Sequence, residues 1–103
     1  MKMRFLGHGT FDFVSEAGHK VLIDPFLDNN PQAALKSDAV SPDFIILTHA
    51  HEDHFGDAIK IGKRCDPLFI CMVELAKYLA EEGFKTHQIQ IGDSHPFPFG
   101  RVI

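Results

Sequence analysis

The chain has 103 residues, 45% hydrophobic and 23% charged, a composition near the globular average that argues against disorder and against a coiled coil. One small domain is the limit at this length, with a thin stability margin because a short chain buries a modest share of its surface. Ten Lys and Arg against 14 Asp and Glu give a net charge of −4; with no basic run to neutralise a phosphate backbone, nucleic acid is not expected as a partner.

No stretch approaches the roughly 18 apolar residues of a membrane span, and residues 1–4 lead into a strand-like segment without the apolar core of a signal peptide. No membrane partner is expected, and the expected location is the cytoplasm. Cys65 and Cys71 read as reduced, partly buried thiols without a metal role. Ten Phe against one Tyr and no Trp predict an interior filled by rings that need no hydrogen-bond partner.

In chain order, residues 2–6 form a first strand that stops at Gly7-His8-Gly9, where two glycines permit positive φ or close backbone approach. Residues 11–15 and 20–24 are a second and third strand joined by a reverse turn at 16–19. Pro25 biases Asp24 toward extended geometry, which would hold its carboxylate at the C-terminal edge of the third strand. Residues 26–42 are a long connection with at most one helical turn, at 32–35. The apolar run Phe44-Ile45-Ile46-Leu47 predicts a buried fourth strand.

Helical spacing of Phe55, Ile59 and Gly62 predicts a helix up to Arg64 or Cys65, whose two glycines make it dependent on tertiary support. Asp66-Pro67 breaks it. Residues 68–71 are a strand, 73–82 a helix closed by Gly83, 85–91 a strand, 92–98 a loop and 99–103 the start of another strand. Strands and helices alternating after a hairpin give the fold class α/β (α+β).

The segment Thr48-His49-Ala50-His51-Glu52-Asp53-His54-Phe55-Gly56-Asp57 concentrates three of the seven histidines directly after the fourth strand. In extended backbone, side chains two apart point the same way, so His49 and His51 can face one ion at the roughly 2.0–2.1 Å that zinc requires. On a tight strand-to-helix loop, Asp53 and His54 can turn toward a second ion about 3.5–4 Å away. The helical zinc motif H-E-x-x-H is excluded by spacing, because His51 and His54 are three apart.

Thr48-His49-Ala50-His51-Glu52-Asp53-His54 resembles the H-x-H-x-D-H signature of the metallo-β-lactamase superfamily. Leu6-Gly7-His8-Gly9, Leu22-Ile23-Asp24-Pro25-Phe26-Leu27 and Lys85-Thr86-His87 are similar to uncharacterised metal-dependent hydrolases near the ascorbate-6-phosphate lactonase branch. The resemblance implies that His49 and His51 bind a first metal and Asp53 and His54 a second, zinc being the commonest occupant and manganese or nickel alternatives. It implies that Asp53 also orients a metal-bound hydroxide, which forms at neutral pH because the bound water has a pKa of about 7. Asp24 would brace the ligand loop from behind. His8 would line the metal or substrate pocket. Asp57 could bond a ligand histidine, or simply favour a helix start through the macrodipole. His19 is expected to be solvated, and His87 and His95 receive no ligand role.

The same resemblance implies an αββα sandwich of two similar halves, of which residues 1–103 would encode the N-terminal one: a mixed sheet with helices on one face and its other face uncovered. The remaining ligands would come from sequence beyond this half, leaving the sites incomplete and metal binding weak. An uncovered apolar sheet favours a homo-oligomer or a complementary second half as partner. Two functions follow: a metal-dependent hydrolase of a small-molecule substrate, or a catalytically silent half-domain that binds metal or a partner.

Overall fold

Short apolar runs punctuated by glycine, proline and aspartate fold here into one sheet with its helices on one side. The computed structural model describes residues 2–90 and 92–102. Strands β1 (Lys2–Gly7), β2 (Thr10–Val14), β3 (Lys20–Ile23), β4 (Phe44–Ile46), β5 (Leu68–Cys71) and β6 (Lys85–Gln88) lie side by side in sequence order. The first three form an antiparallel meander, and β3 to β6 run parallel. Parallel neighbours require crossovers. These are a long connection containing a single 3₁₀ turn (Ser37–Ala39), the pair α1 (Glu52–Phe55) and α2 (Ala58–Cys65), and α3 (Val73–Glu81). A separate hairpin pairs β7 (His95–Phe97) with β8 (Gly100–Val102).

Register sorts the strand residues into two faces. Leu6, Leu22, Ile45, Phe69 and Cys71 are buried with Ile61, Ala76 and Leu79 of the helices in one core, each large apolar side chain contributing about 1.5–3 kcal/mol. Gly62 lets α2 approach the Phe69–Phe84 ring pair, since a Cβ there would lie 2.8 Å from Phe84. The guanidinium of Arg64 donates to the carbonyls of Ser37 and Val40, tying α2 to the long connection. Both cysteines are free, and burial pushes the Cys71 thiol up to about 11, which leaves it unreactive near neutral pH.

The opposite face carries the rows Met3–Phe13–Val21–Phe44–Leu68 and Phe5–Phe11–Ile23–Ile46–Ile70. It is less bare than the sequence suggested. Residues 95–97, read above as loop, pair as β7, and the hairpin stacks Phe97 on Phe99 and sets both edge-on to Phe44, with Phe99 also reaching Phe13. Proline and glycine between aromatic residues disguised this strand. Met3 and Phe5 on β1 remain 62% exposed. His87 and His95 join Phe97 on this face, and His19 is half-buried against Phe44 rather than solvated.

Other boundaries move for local reasons. The helical turn expected at 32–35 is replaced by the 3₁₀ turn at Ser37–Ala39, where the Asp28 carboxylate receives the Ser37 amide and hydroxyl. The helix expected from Phe55 is split at Gly56, whose backbone (φ 46°, ψ −117°) ends α1. A Cβ there would stand 2.5 Å from the Pro25 carbonyl oxygen, so only glycine fits. β6 ends at Gln88; residues 91 and 103 of the expected last strands lie outside the described residues.

Candidate metal centre

The C-terminal ends of β3 and β4 meet where the Asp24 amide donates to the Ile46 carbonyl, and the segment 48–57 springs from that edge. Asp24 is not extended as the following proline favours: its φ is 48°. A left-handed conformation costs an L-residue roughly 1–2 kcal/mol, and the surrounding bonds offset it. Thr10, fully buried, donates its hydroxyl to the Asp24 carbonyl at 2.6 Å. His8, at φ 58°, is the other left-handed non-glycine residue at this edge, and such strain clusters at functional sites.

The Asp24 carboxylate is the hub. Oδ1 accepts the Thr48 amide at 2.8 Å, while Oδ2 accepts the Thr48 hydroxyl at 2.6 Å and His54 Nδ1–H at 2.9 Å. With its proton committed to Asp24, the Thr48 oxygen is left to accept from His49 Nδ1–H at 2.8 Å. His49 and His54 are thereby both held as Nδ1–H tautomers with Nε2 bearing the free lone pair, the state in which imidazole binds metal. Their ring centroids are 4.2 Å apart.

On the other side of His54, His8 Nε2 lies 2.8 Å from Asp53 Oδ2. That hydrogen bond holds the Asp53 carboxyl below the ordinary carboxylate range. Gly9 makes room for the approach, since a Cβ would sit 2.6 Å from His54 Cε1. His51 opens α1, its carbonyl accepting the amides of His54 and Phe55, and its ring lies edge-on to His49 at 4.7 Å.

Ligand atoms therefore gather as two triads, His8–Asp53–His54 and Asp24–His49–His54, each with its donors within 4.8 Å of one another. Donors on one tetrahedral zinc lie about 3.4 Å apart at bond lengths near 2.1 Å, so side-chain rotation would close the first triad on an ion, whereas in the second the Asp24 carboxylate is already taken up by His54 Nδ1–H and braces that imidazole. Imidazoles with carboxylates suit zinc, nickel or manganese, and the residues fit such an ion. The expected pairings, His49 with His51 and Asp53 with His54, differ from these groupings in that His54 is shared and His51 stands beside them. Asp57 bonds no histidine; its Oδ2 accepts the amides of Leu27 and Asp28 at 3.1 and 2.9 Å, stapling the loop after β3 to the start of α2.

The close approach at Gly9 is the one its place in Gly7-His8-Gly9 allows. The support from Thr10, between that turn and the strand expected at 11–15, has no counterpart in the sequence reading.

A family model described as the metallo-beta-lactamase superfamily matches residues 13–102. A UPF0173 metal-dependent hydrolase of Natranaerobius thermophilus is 45% identical over 99% of this chain and 46% of its own length. A protein of the same description from Heliobacterium modesticaldum is also 45% identical, with 99% and 42% covered. The chain thus spans less than half the length of these curated relatives. Among solved structures, Igni18, a metallo hydrolase from the hyperthermophilic archaeon Ignicoccus hospitalis, aligns with a TM-score of 0.83 at 30% identity over 92% of this chain and 42% of that one. An isothiocyanate hydrolase from Delia radicum gut bacteria shares the fold, with a TM-score of 0.67 at 22% identity over 95% and 44% of the two chains. Among the described residues, no helix is long and apolar enough to cross a membrane. With its mixed sheet, helices on one face and histidine-rich loop at the strand ends, the chain belongs to the metallo-beta-lactamase superfamily.

Proposed function

We propose that this chain supplies the ligand loop of a metal-dependent hydrolase acting on a small molecule, with His49, His51, Asp53 and His54 as ligands to zinc, manganese or nickel. The observation that carries this reading is the position of His54 in both triads of potential ligand atoms. A bound divalent ion would supply a water acidified to a pKa of about 7 and a positive charge facing the developing oxyanion.

The chain's own groups do the rest. Asp24 and Thr48 hold the imidazoles of His54 and His49 with Nε2 outward. Asp53, ionised at neutral pH like any exposed carboxylate and oriented by the His8 hydrogen bond, is the acceptor that orients the attacking water. Asp57 anchors the loop that backs the site.

The open apolar face around Met3 and Phe5 supports self-association, a second copy covering what the hairpin leaves exposed. A monodisperse monomer at micromolar concentration by light scattering contradicts that part.

The activity is tested by comparing metal content and hydrolysis of lactone, lactam and phosphodiester substrates for the chain and a His49→Ala, Asp53→Ala double variant. Turnover above the variant supports the hydrolase. Tight stoichiometric metal without turnover favours a silent, metal-binding half-domain.

A further inference from the structure

A cavity of about 480 Å³ opens beside His49, between the ligand loop and the first turns of α3. Its size falls within the roughly 300–1,000 Å³ of small-molecule pockets. The walls are Phe55, Met72, Leu75 and Tyr78, with Glu74 at the rim.

Three observations give it a purpose. First, α3 presents its core contact through Ala76 and Leu79, both buried, whereas Met72, Leu75 and Tyr78 recur every third residue and form a separate apolar stripe. Leu75 at its centre also packs against the core, but its two ends do not: Met72 is 41% and Tyr78 47% exposed. Second, the stripe runs to His49, so a molecule lying on it brings one end to the ligand loop. Third, no Lys or Arg lines this cavity, and the neighbouring groove is walled by Glu52, Asp53 and Asp57, again without a basic residue. In the metal-free chain an anionic group would meet acidic side chains on both sides.

We propose that this cavity seats the hydrocarbon part of an uncharged carboxylic-acid derivative, an ester, lactone or amide, with its carbonyl at the His49 end. The proposal rests on the reading of the loop as a hydrolytic metal centre for the fate of that carbonyl, and on the cavity alone for the hydrocarbon.

The test is a titration of the metal-free chain with butanamide, hexanamide and octanamide, and with hexanoate as the charged counterpart, followed by NMR of the Met72 methyl group and backbone amides. Affinity is expected to rise up to about three- to fourfold per added methylene as the tail is buried, with shifts at Met72, Ala50 and Tyr78. Hexanamide is expected to outbind hexanoate several-fold, and Glu74→Gln to narrow that gap. Tyr78→Ala and Met72→Ser, both at exposed positions, should weaken hexanamide at least threefold while zinc uptake, measured separately, stays unchanged. Equal affinity along the series, shifts elsewhere in the molecule, or hexanoate binding as tightly as hexanamide overturns the proposal. Length-dependent binding without zinc uptake supports the cavity and overturns the metal reading, so the two failures are distinguishable.

Discussion

On the helix side of the sheet, Leu22, Ile45 and Phe69 are sealed beneath α2 and α3, whereas on the opposite side Met3 and Phe5 of β1 remain 62% exposed. Both faces are apolar and the strands are shared, so the difference lies in what covers them. Two helices close one face, and one short hairpin with Phe97 and Phe99 closes only part of the other. The ligand loop leaves the edge between the two faces. Its bonds to Asp24 and the loop after β3 root it in the closed side, so its geometry should depend on that side and not on the open one.

The largest effect is expected from the closed face. Phe69→Ala removes a ring with no exposure from the centre of the core and should cost about 3–5 kcal/mol, lowering the melting temperature by on the order of 15 °C or more. A loss below 1 kcal/mol in urea unfolding would mean that this core is not closed. Asp24→Asn comes next. It disturbs a buried carboxylate with three hydrogen bonds and should destabilise by about 2–3 kcal/mol while lowering zinc affinity about 10–100-fold. Intact zinc affinity in a folded variant would show that Asp24 does not position the histidines.

How much of this was legible in the sequence depended on the range of the interaction. The strands at Val21, Ile45 and Phe69 and the helix of Ala76 and Leu79 follow from short apolar runs between breakers, a local signal. The loop histidines were visible because they crowd one segment. The left-handed Asp24 was not, because the local preference before proline is extended and the bonds that override it come from Thr10, Thr48 and His54, distant in sequence. The reach of His8 to Asp53 spans 45 residues and follows no local rule. β7 was hidden by its own proline.

A smaller effect lies at the margin of the closed face. Asp28 accepts the Ser37 amide and hydroxyl and the Lys60 ammonium, at 2.7–2.8 Å. Lys60 first, then Ser37, lowers its carboxyl to about 2. A depressed native pKa stabilises above the unfolded value near 3.9 and is lost as pH falls toward the native one. Asp28→Asn should therefore cost about 1 kcal/mol at pH 6, a difference that shrinks away between about pH 4 and pH 2. A gap of constant size across that window would contradict the ion pair and amide bonds as its source.

The smallest effect on stability belongs to the open face. Met3→Gln with Phe5→Ser should change unfolding free energy by no more than about 0.5 kcal/mol, yet shift light scattering toward the monomer and leave zinc uptake untouched. Destabilisation comparable with Phe69→Ala would erase the contrast between the faces.

His54 is the residue through which both triads of potential ligand atoms pass, so a single substitution tests the proposed centre. Zinc titrated calorimetrically into the 103-residue chain and into His54→Ala should give saturable uptake in the first and at least about tenfold weaker binding in the second. Indistinguishable isotherms, or no uptake by the unaltered chain, would contradict a metal centre at this loop.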